Sequence, residues 1–275
     1  MSIFKKLPED AKKRLAKILT TFLWIYFAAF GIVAMHFVRR IFIAERFKIP
    51  TMSMSPTLNP GDHIWVNKLL FGARIYTDFN FEDHAPLKCF RMPGIREIKP
   101  NDIVVFNYPF GYDDWYRIEF KINYVYCKRV AGTPGDTVTI IDGIAHNNNH
   151  EGNIGLLENQ IQLSNIPDSV FWYYNSMTAI PLSRPTWTIK NLGPLYVPAK
   201  GGTVELDDFN RELYGLAIQY ETGQLPTEDM KQYTFKNNYY FMLGDNSCDS
   251  QDSRYFGFVP EDFIIGIVGG KKGKQ

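Results

Sequence analysis

The longest apolar stretch of the chain runs from Ile18 to Val38, ILTTFLWIYFAAFGIVAMHFV, and contains no acidic or strongly basic side chain. At about 1.5 Å of rise per residue, a helix of this length matches a hydrocarbon layer of roughly 30 Å, so the stretch predicts a membrane span. A buried core helix would carry a polar stripe, and here only Thr20, Thr21 and His36 interrupt the apolar pattern. Ala28, Ala29 and Gly31 would suit a cleaved leader. The run exceeds the roughly 7–15 apolar residues of such leaders, so a retained anchor is expected.

Beyond the span the pattern shortens. HIWVNKLLF (63–71), DIVVFNYP (102–109), YVYCKRVAG (124–132), DTVTIID (136–142) and YYFMLG (239–244) are rich in β-branched and aromatic residues and bounded by Gly, Pro, Asn or Asp. They predict strands, and a mainly β fold follows. Between 142 and 236 the composition shifts towards Asn, Tyr, Trp and Pro, with a helix-like patch at 207–221. The expected organisation is therefore a tail (1–17), the transmembrane anchor (18–38), the first part of a β core (39–141), an inserted lobe (142–236), and a returning core segment (237–275). Its last residues, KKGKQ (271–275), are expected to fray.

Charge adds an orientation. Lys5, Lys6, Lys12, Lys13, Arg14 and Lys17 precede the span, and Arg39, Arg40, Arg46 and Lys48 follow it. The positive-inside tendency keeps the short tail in the cytoplasm and exports the remainder. A net charge of +1 over 275 residues, with 15% aromatic side chains, argues against both a disordered chain and a general nucleic-acid binder. Cys89, Cys127 and Cys248 show no metal-site spacing. A bridge from Cys248 to either of the others stays open, and three separate thiols is the preferred reading.

Three segments carry candidate chemistry. In Ile49-Pro50-Thr51-Met52-Ser53-Met54-Ser55-Pro56-Thr57-Leu58, two prolines restrict the backbone around the hydroxyls. In Tyr124-Val125-Tyr126-Cys127-Lys128-Arg129-Val130, strand alternation puts Lys128 on the same face as Tyr124, Tyr126 and Val130, where burial would lower its pKa towards that of a useful base. The third runs from Gly244 through Asp245, Asp252 and Arg254 to Pro260. It lacks the glycine and closing glutamate of a calcium loop, so Asp245 and Asp252 are expected to pair with Arg129 and Arg254 and hold the loop against the lysine strand.

Together these segments resemble the type I signal peptidases, membrane serine proteases with a Ser/Lys dyad. Pro50 to Leu58 follows the family pattern around its nucleophile, Lys128-Arg129-Val130-Ala131-Gly132-Thr133-Pro134-Gly135-Asp136 the pattern around its base, and Asp252-Ser253-Arg254 its final box. The resemblance implies Ser53 as nucleophile, Lys128 as general base, Thr51 as an oxyanion donor with the Ser53 backbone N–H, and Ser250 as the group that orients the lysine. It also implies Tyr126 and Met242 as shields against water, and structural ion pairs among Arg129, Asp245, Asp252 and Arg254. The implied substrates are signal-peptide-bearing precursors, paired as an added strand along Phe47 to Pro50. Membrane phospholipid is the other expected partner, with the catalytic domain on the exported, periplasmic side of the bacterial cytoplasmic (inner) membrane. No nucleic acid, no metal and no organic cofactor is implied. Asn101 stands where the family has Gly, and Ser247-Cys248-Asp249 where it has Arg-Asp-Asn.

Two rivals have different signatures. A self-cleaving repressor of the LexA type shares the dyad and a similar β core, but would carry a DNA-binding module in place of the anchor. A membrane-tethered β domain that only binds envelope partners would leave the hydroxyl and the lysine without catalytic work. His63, His84, His146 and His150 lack the context of a Ser-His-Asp hydrolase, and no His-Glu-x-x-His occurs.

Overall fold

The computed structural model describes residues 8–82, 86–111, 116–170 and 187–272. His84 lies outside them. Helix α1 (Glu9–Val38) begins well before Ile18, with Glu9 and Asp10 in its first turn, where carboxylates suit the helix dipole. None of its residues is buried against the protein. It is the one helix among the described residues long and apolar enough to cross a membrane. Thr20 and Thr21 donate their hydroxyls to the carbonyls of Ala16 and Lys17 at 2.8 and 2.9 Å, which satisfies both in an apolar surrounding. A π-helical turn, Arg39–Ile43, then leads into the first strand.

The rest is mostly β. Strand β1 (Ala44–Lys48) pairs with β2 (His63–Asn67), Phe47 lying opposite Ile64. A separate ribbon consists of β3 (Arg74–Tyr76) and β4 (Cys89–Arg91). Next, β5 (Ile103–Asn107) pairs with β6 (Val125–Gly132), placing Val104 opposite Lys128. A second sheet has β7 (Thr137–Ile141) between β8 (Ile144–Asn147) and β9 (Leu192–Tyr196), with α2 (Leu157–Asn165) against β8. Two short strands, β10 (Thr203–Glu205) and β11 (Gln232–Thr234), bracket α3 (Asp208–Leu213) and α4 (Gly215–Thr222). The chain returns through β12 (Tyr239–Leu243), α5 (Ser253–Phe256), β13 (Val259–Pro260) and β14 (Ile264–Lys272).

The main sheet has the order β1-β2-β14-β5-β6-β12-β13, and every neighbouring pair is antiparallel. The segment expected to fray is instead paired through Lys272, with Lys271 opposite Ile64, because β14 occupies the gap between β2 and β5. The expected division at residue 142 falls inside the β7–β8 hairpin, and the second sheet already begins at Thr137. All three cysteines are free thiols.

The sheet separates two apolar groups. The larger includes Val104, Phe106, Val130, Phe241, Met242 and Phe256, and the smaller includes Ile49, Met54, Leu58, Ile64, Val66 and Val105. Ile49, Met54 and Leu58 therefore pin the hydroxyl-rich segment to the sheet by side-chain burial. Asn101 has φ of 74°, a conformation that glycine adopts freely and asparagine tolerates, which accounts for Asn at a position where the resembled family has Gly.

Where the chain passes from β6 into the second sheet, Asp136 is 3% exposed and its carboxylate collects four donors. Thr133 N and Oγ1 donate at 2.7 and 2.8 Å, and the amides of Asn147 and Asn149 each donate at 2.8 Å. Burial alone would raise the Asp136 pKa, yet these hydrogen bonds, led by Asn147, hold it below the usual carboxylate value. Asp136→Ala strands buried donors and should cost about 2–4 kcal/mol, read as a lower midpoint in denaturant melts, whereas Asp136→Asn should cost less. The stabilisation from this depressed pKa is present above the unfolded value and should be lost as pH falls through the folded one.

Candidate active site

Three segments distant in sequence converge on Ser53. Lys128 is 3% exposed on β6, and its Nζ donates to Ser53 Oγ. Burial is the main cause of a Lys128 pKa lowered to about 8 from 10.5, while the nearby Asp252 carboxylate opposes the shift without cancelling it. Part of the ammonium is thus neutral near physiological pH, which lets the lysine accept a proton from the hydroxyl it touches. Ser55, the other serine of this segment, donates its hydroxyl to Asn59 Oδ1 at 2.9 Å and is already engaged.

The surround sets that pKa. Tyr126, one alternation away on the same face of β6, holds its ring 5.5 Å from Lys128 Nζ and packs against Tyr108 with the rings tilted by 32° and their centroids 4.5 Å apart. Its hydroxyl donates to Gln251 at 3.1 Å, so it packs beside the lysine and also ties β6 to the returning loop. Met242 is fully buried opposite Val130 and so adds apolar cover on the lysine face.

The acids and arginines form two distinct pairs. Arg129 donates to Asp245 in a two-pronged bond, Nε to Oδ1 and Nη2 to Oδ2, both 2.6 Å, joining β6 to the loop after β12. Arg254 makes the same fork to Asp252 at 2.9 Å, and Gly244 N donates to Asp252 Oδ2 at 3.0 Å. Asp252 is completely buried, which alone would raise its pKa, but the Arg254 guanidinium keeps it below the usual carboxylate range. The second pair is therefore internal to the returning segment, where it supports the β12 end from below the lysine.

Thr51 Oγ1 lies 3.4 Å from Ser53 Oγ and is solvent-exposed, within reach of a group bound at Ser53. Ser250 departs from its expected role. Its hydroxyl is buried, has no hydrogen-bond partner among the described residues and does not bond Lys128. It packs instead against Gly244, where a Cβ would meet Ser250 Oγ at 2.0 Å and the Ser53 carbonyl at 2.6 Å. Gly244 is thus required by close approach, and any side chain there would push the serine segment away from the lysine.

Sequence reasoning missed the clamps on this segment. Asn246 N donates to the Ser53 carbonyl at 3.1 Å and its amide to the Met52 carbonyl at 3.2 Å. Thr57 donates its hydroxyl to Asp245. Asn159 of α2 donates to the carbonyls of Asp245 at 2.6 Å and Ser55 at 3.2 Å, so α2 reaches the site. Nothing in the local pattern of α2 marks Asn159 for this, because its partners lie far along the chain.

Comparison with known proteins gives the following matches. The family described as signal peptidase, peptidase S26, matches residues 19–269. Signal peptidase I of Buchnera aphidicola subsp. Baizongia pistaciae is 30% identical over 258 residues, covering 87% of this chain and 73% of that protein. Signal peptidase I of Pseudomonas aeruginosa is 29% identical over 244 residues, covering 87% of this chain and 65% of that one. Among solved structures, a signal peptidase I from Enterococcus faecalis V583 matches at 20% identity over 64% of this chain and 99% of that chain, with a TM-score of 0.32.

The depressed lysine pKa generates a direct test. Covalent labelling of Ser53 by a neutral acylating reagent, followed by mass spectrometry, should increase with pH along a limb centred on about 8, since only neutral Lys128 accepts the proton. A limb near the ordinary lysine value of about 10.4 would refute the desolvated site.

Proposed function

Because this chain belongs to the signal peptidase family, peptidase S26, we propose that it is a membrane-anchored serine endopeptidase that removes N-terminal signal peptides from exported precursor proteins. The observation that carries the chemistry is the contact between Ser53 Oγ and the buried, pKa-depressed Lys128 ammonium. In the reaction, neutral Lys128 takes the proton of Ser53 as its oxygen adds to the scissile carbonyl. The lysine then returns a proton to the leaving amine, and water cleaves the acyl-enzyme. The developing oxyanion is met by the Ser53 backbone N–H and the Thr51 hydroxyl, whose position 3.4 Å from Ser53 Oγ supports that role. Ser250 is assigned the orienting role towards the lysine on its buried hydroxyl, which has no hydrogen-bond partner among the described residues.

The substrate segment adds as an extended strand beside β1. That strand is the outermost of the main sheet and has a partner on one edge only among the described residues, so its other edge offers backbone groups for pairing. Helix α1 anchors the enzyme, and membrane phospholipid surrounds it. By the charge bias the tail before Ile18 is cytoplasmic, and the β domain lies on the exported side.

In a gel assay on a purified precursor, Ser53→Ala and Lys128→Met should each abolish cleavage, while Ser55→Ala should retain most of it. Thr51→Val should lower kcat by roughly ten- to a thousand-fold with little change in KM, and Thr51→Ser should restore most of the loss. Cleavage by Ser53→Ala, or a Thr51→Val effect confined to KM, would overturn the corresponding role. For the topology, protease added to intact spheroplasts should digest the β domain and spare the N-terminal tail. The opposite pattern would reverse the orientation.

A further inference from the structure

Away from Ser53, the surface between β1 and the beginning of β6 opens into a cleft of about 500 Å³ whose lining combines apolar and charged side chains. Phe47 and Val125 give it apolar walls, the linked Arg40, Glu45 and Lys68 line it next to the turn that leaves α1, and Arg74 enters beside Asn107, the partner of Val125 across β5 and β6. Glu45 is saturated by two cations, with Arg40 Nε at 2.8 Å from one oxygen and Lys68 Nζ at 2.8 Å from the other. The Lys68 ammonium spends a second proton on the Arg40 carbonyl at 2.9 Å, which leaves it one further N–H. Among the described residues, Arg74 is held by neutral acceptors: the Asp262 carbonyl at 2.6 Å, the Tyr76 hydroxyl at 2.7 Å and the Asn107 amide oxygen at 2.8 Å. The lining therefore presents three cations against one carboxylate, an excess of positive charge in a concave, partly desolvated place.

Chain direction relates the end beside α1 to the scissile bond. Going from Glu45 to Lys48, β1 runs towards Ser53, and going from Val125 to Lys128, β6 runs towards the same hydroxyl. A precursor emerging from the membrane beside α1 enters at the charged end and runs parallel to both strands. With the residue before the cut alongside Pro50, and a rise of about 3.3 Å per residue, Glu45 lies alongside positions roughly five to six residues upstream. Resting on the peptidase reading above, we infer that the charged end of this cleft is a subsite for those upstream residues, and that it selects a carboxylate side chain over an ammonium. It thereby sets a charge preference in the stretch between the apolar part of a signal peptide and its cut.

The test uses the full chain in detergent micelles and a series of peptides spanning one cleavage site, with small residues just before the cut. The peptides differ only by Asp, Ser or Lys at the fifth and sixth positions upstream. The Asp peptide should exceed the Lys peptide in kcat/KM by about tenfold at low salt, a ratio that narrows in about 1 M NaCl as screening shortens to roughly 3 Å. In the double variant Arg40→Gln with Lys68→Met, which takes the four charged lining residues from a net charge of +2 to zero, the ratio should fall to about threefold or less. Arg40→Gln, at a side chain 59% exposed, gives the same readout with little demand on folding. Cleavage at the expected bond with Asp and Lys peptides equal within twofold, or a ratio untouched by both variants, overturns the subsite and leaves the peptidase reading intact. Failure to cleave any peptide at that bond overturns both.

Discussion

Lys128 is a cation placed where water cannot solvate it, and much of the surrounding architecture follows from that constraint. A buried ammonium is costly, and the chain meets the cost with a hydroxyl acceptor on Ser53, an aromatic face on Tyr126 and the more distant field of Asp252. Had Asp252 been unpaired and adjacent, the lysine would have remained fully charged. The fork from Arg254 engages that carboxylate, so burial outweighs attraction and the lysine pKa falls to about 8. The Arg254–Asp252 pair thus adjusts the lysine without touching it.

Holding a serine against such a lysine requires the Pro50 to Leu58 segment to be rigid, and rigidity comes from both sides. From below, Ile49, Met54 and Leu58 are buried in the smaller apolar group. From above, Asn246 binds two successive carbonyls, Thr57 binds Asp245, and Asn159 bridges Ser55 and Asp245. Arg129 then locks Asp245 to the lysine strand itself, so the same carboxylate ties together the serine segment, the returning loop and β6. Helix α2 joins this clamp through Asn159, and Asn101, which accepts from Gly155 N at 2.8 Å and donates to the Asn153 carbonyl at 2.9 Å, secures the segment leading into it.

The placement of β1 puts the edge of the main sheet beside the apolar helix. Because α1 passes through one short turn into the outermost strand of the sheet, the edge offered for pairing lies immediately beyond the end of the apolar helix. The cleft beside it is lined by apolar Phe47 and Val125 and by the linked charges of Arg40, Glu45 and Lys68. Lys68 adds a covalently independent tie between these parts, since its ammonium bonds both the Arg40 carbonyl and Glu45.

Several features were legible before any coordinates. The apolar run from Ile18 to Val38 determines a helix suited to lipid, because no polar stripe could bury it. Runs of β-branched and aromatic residues bounded by turn formers located β2, β5, β6, β7 and β12, and strand alternation placed Lys128 on an apolar face. The serine segment, the lysine segment and the Asp252–Arg254 box stood out as local motifs. Tertiary structure alone decided the central position of β14, whose paired Gly266 and Gly270 blur the alternating pattern, and the edge position of β1. It also decided that Ser250 packs on Gly244 in place of bonding the lysine, and that Asn159 clamps the serine segment from another lobe. The charged cleft belongs with these, because Arg40, Glu45, Lys68 and Arg74 read singly as ordinary surface charges. The physical reason is the same in each case: local sequence encodes backbone preference and facing, whereas partners across the sheet depend on register and packing that only the folded chain establishes.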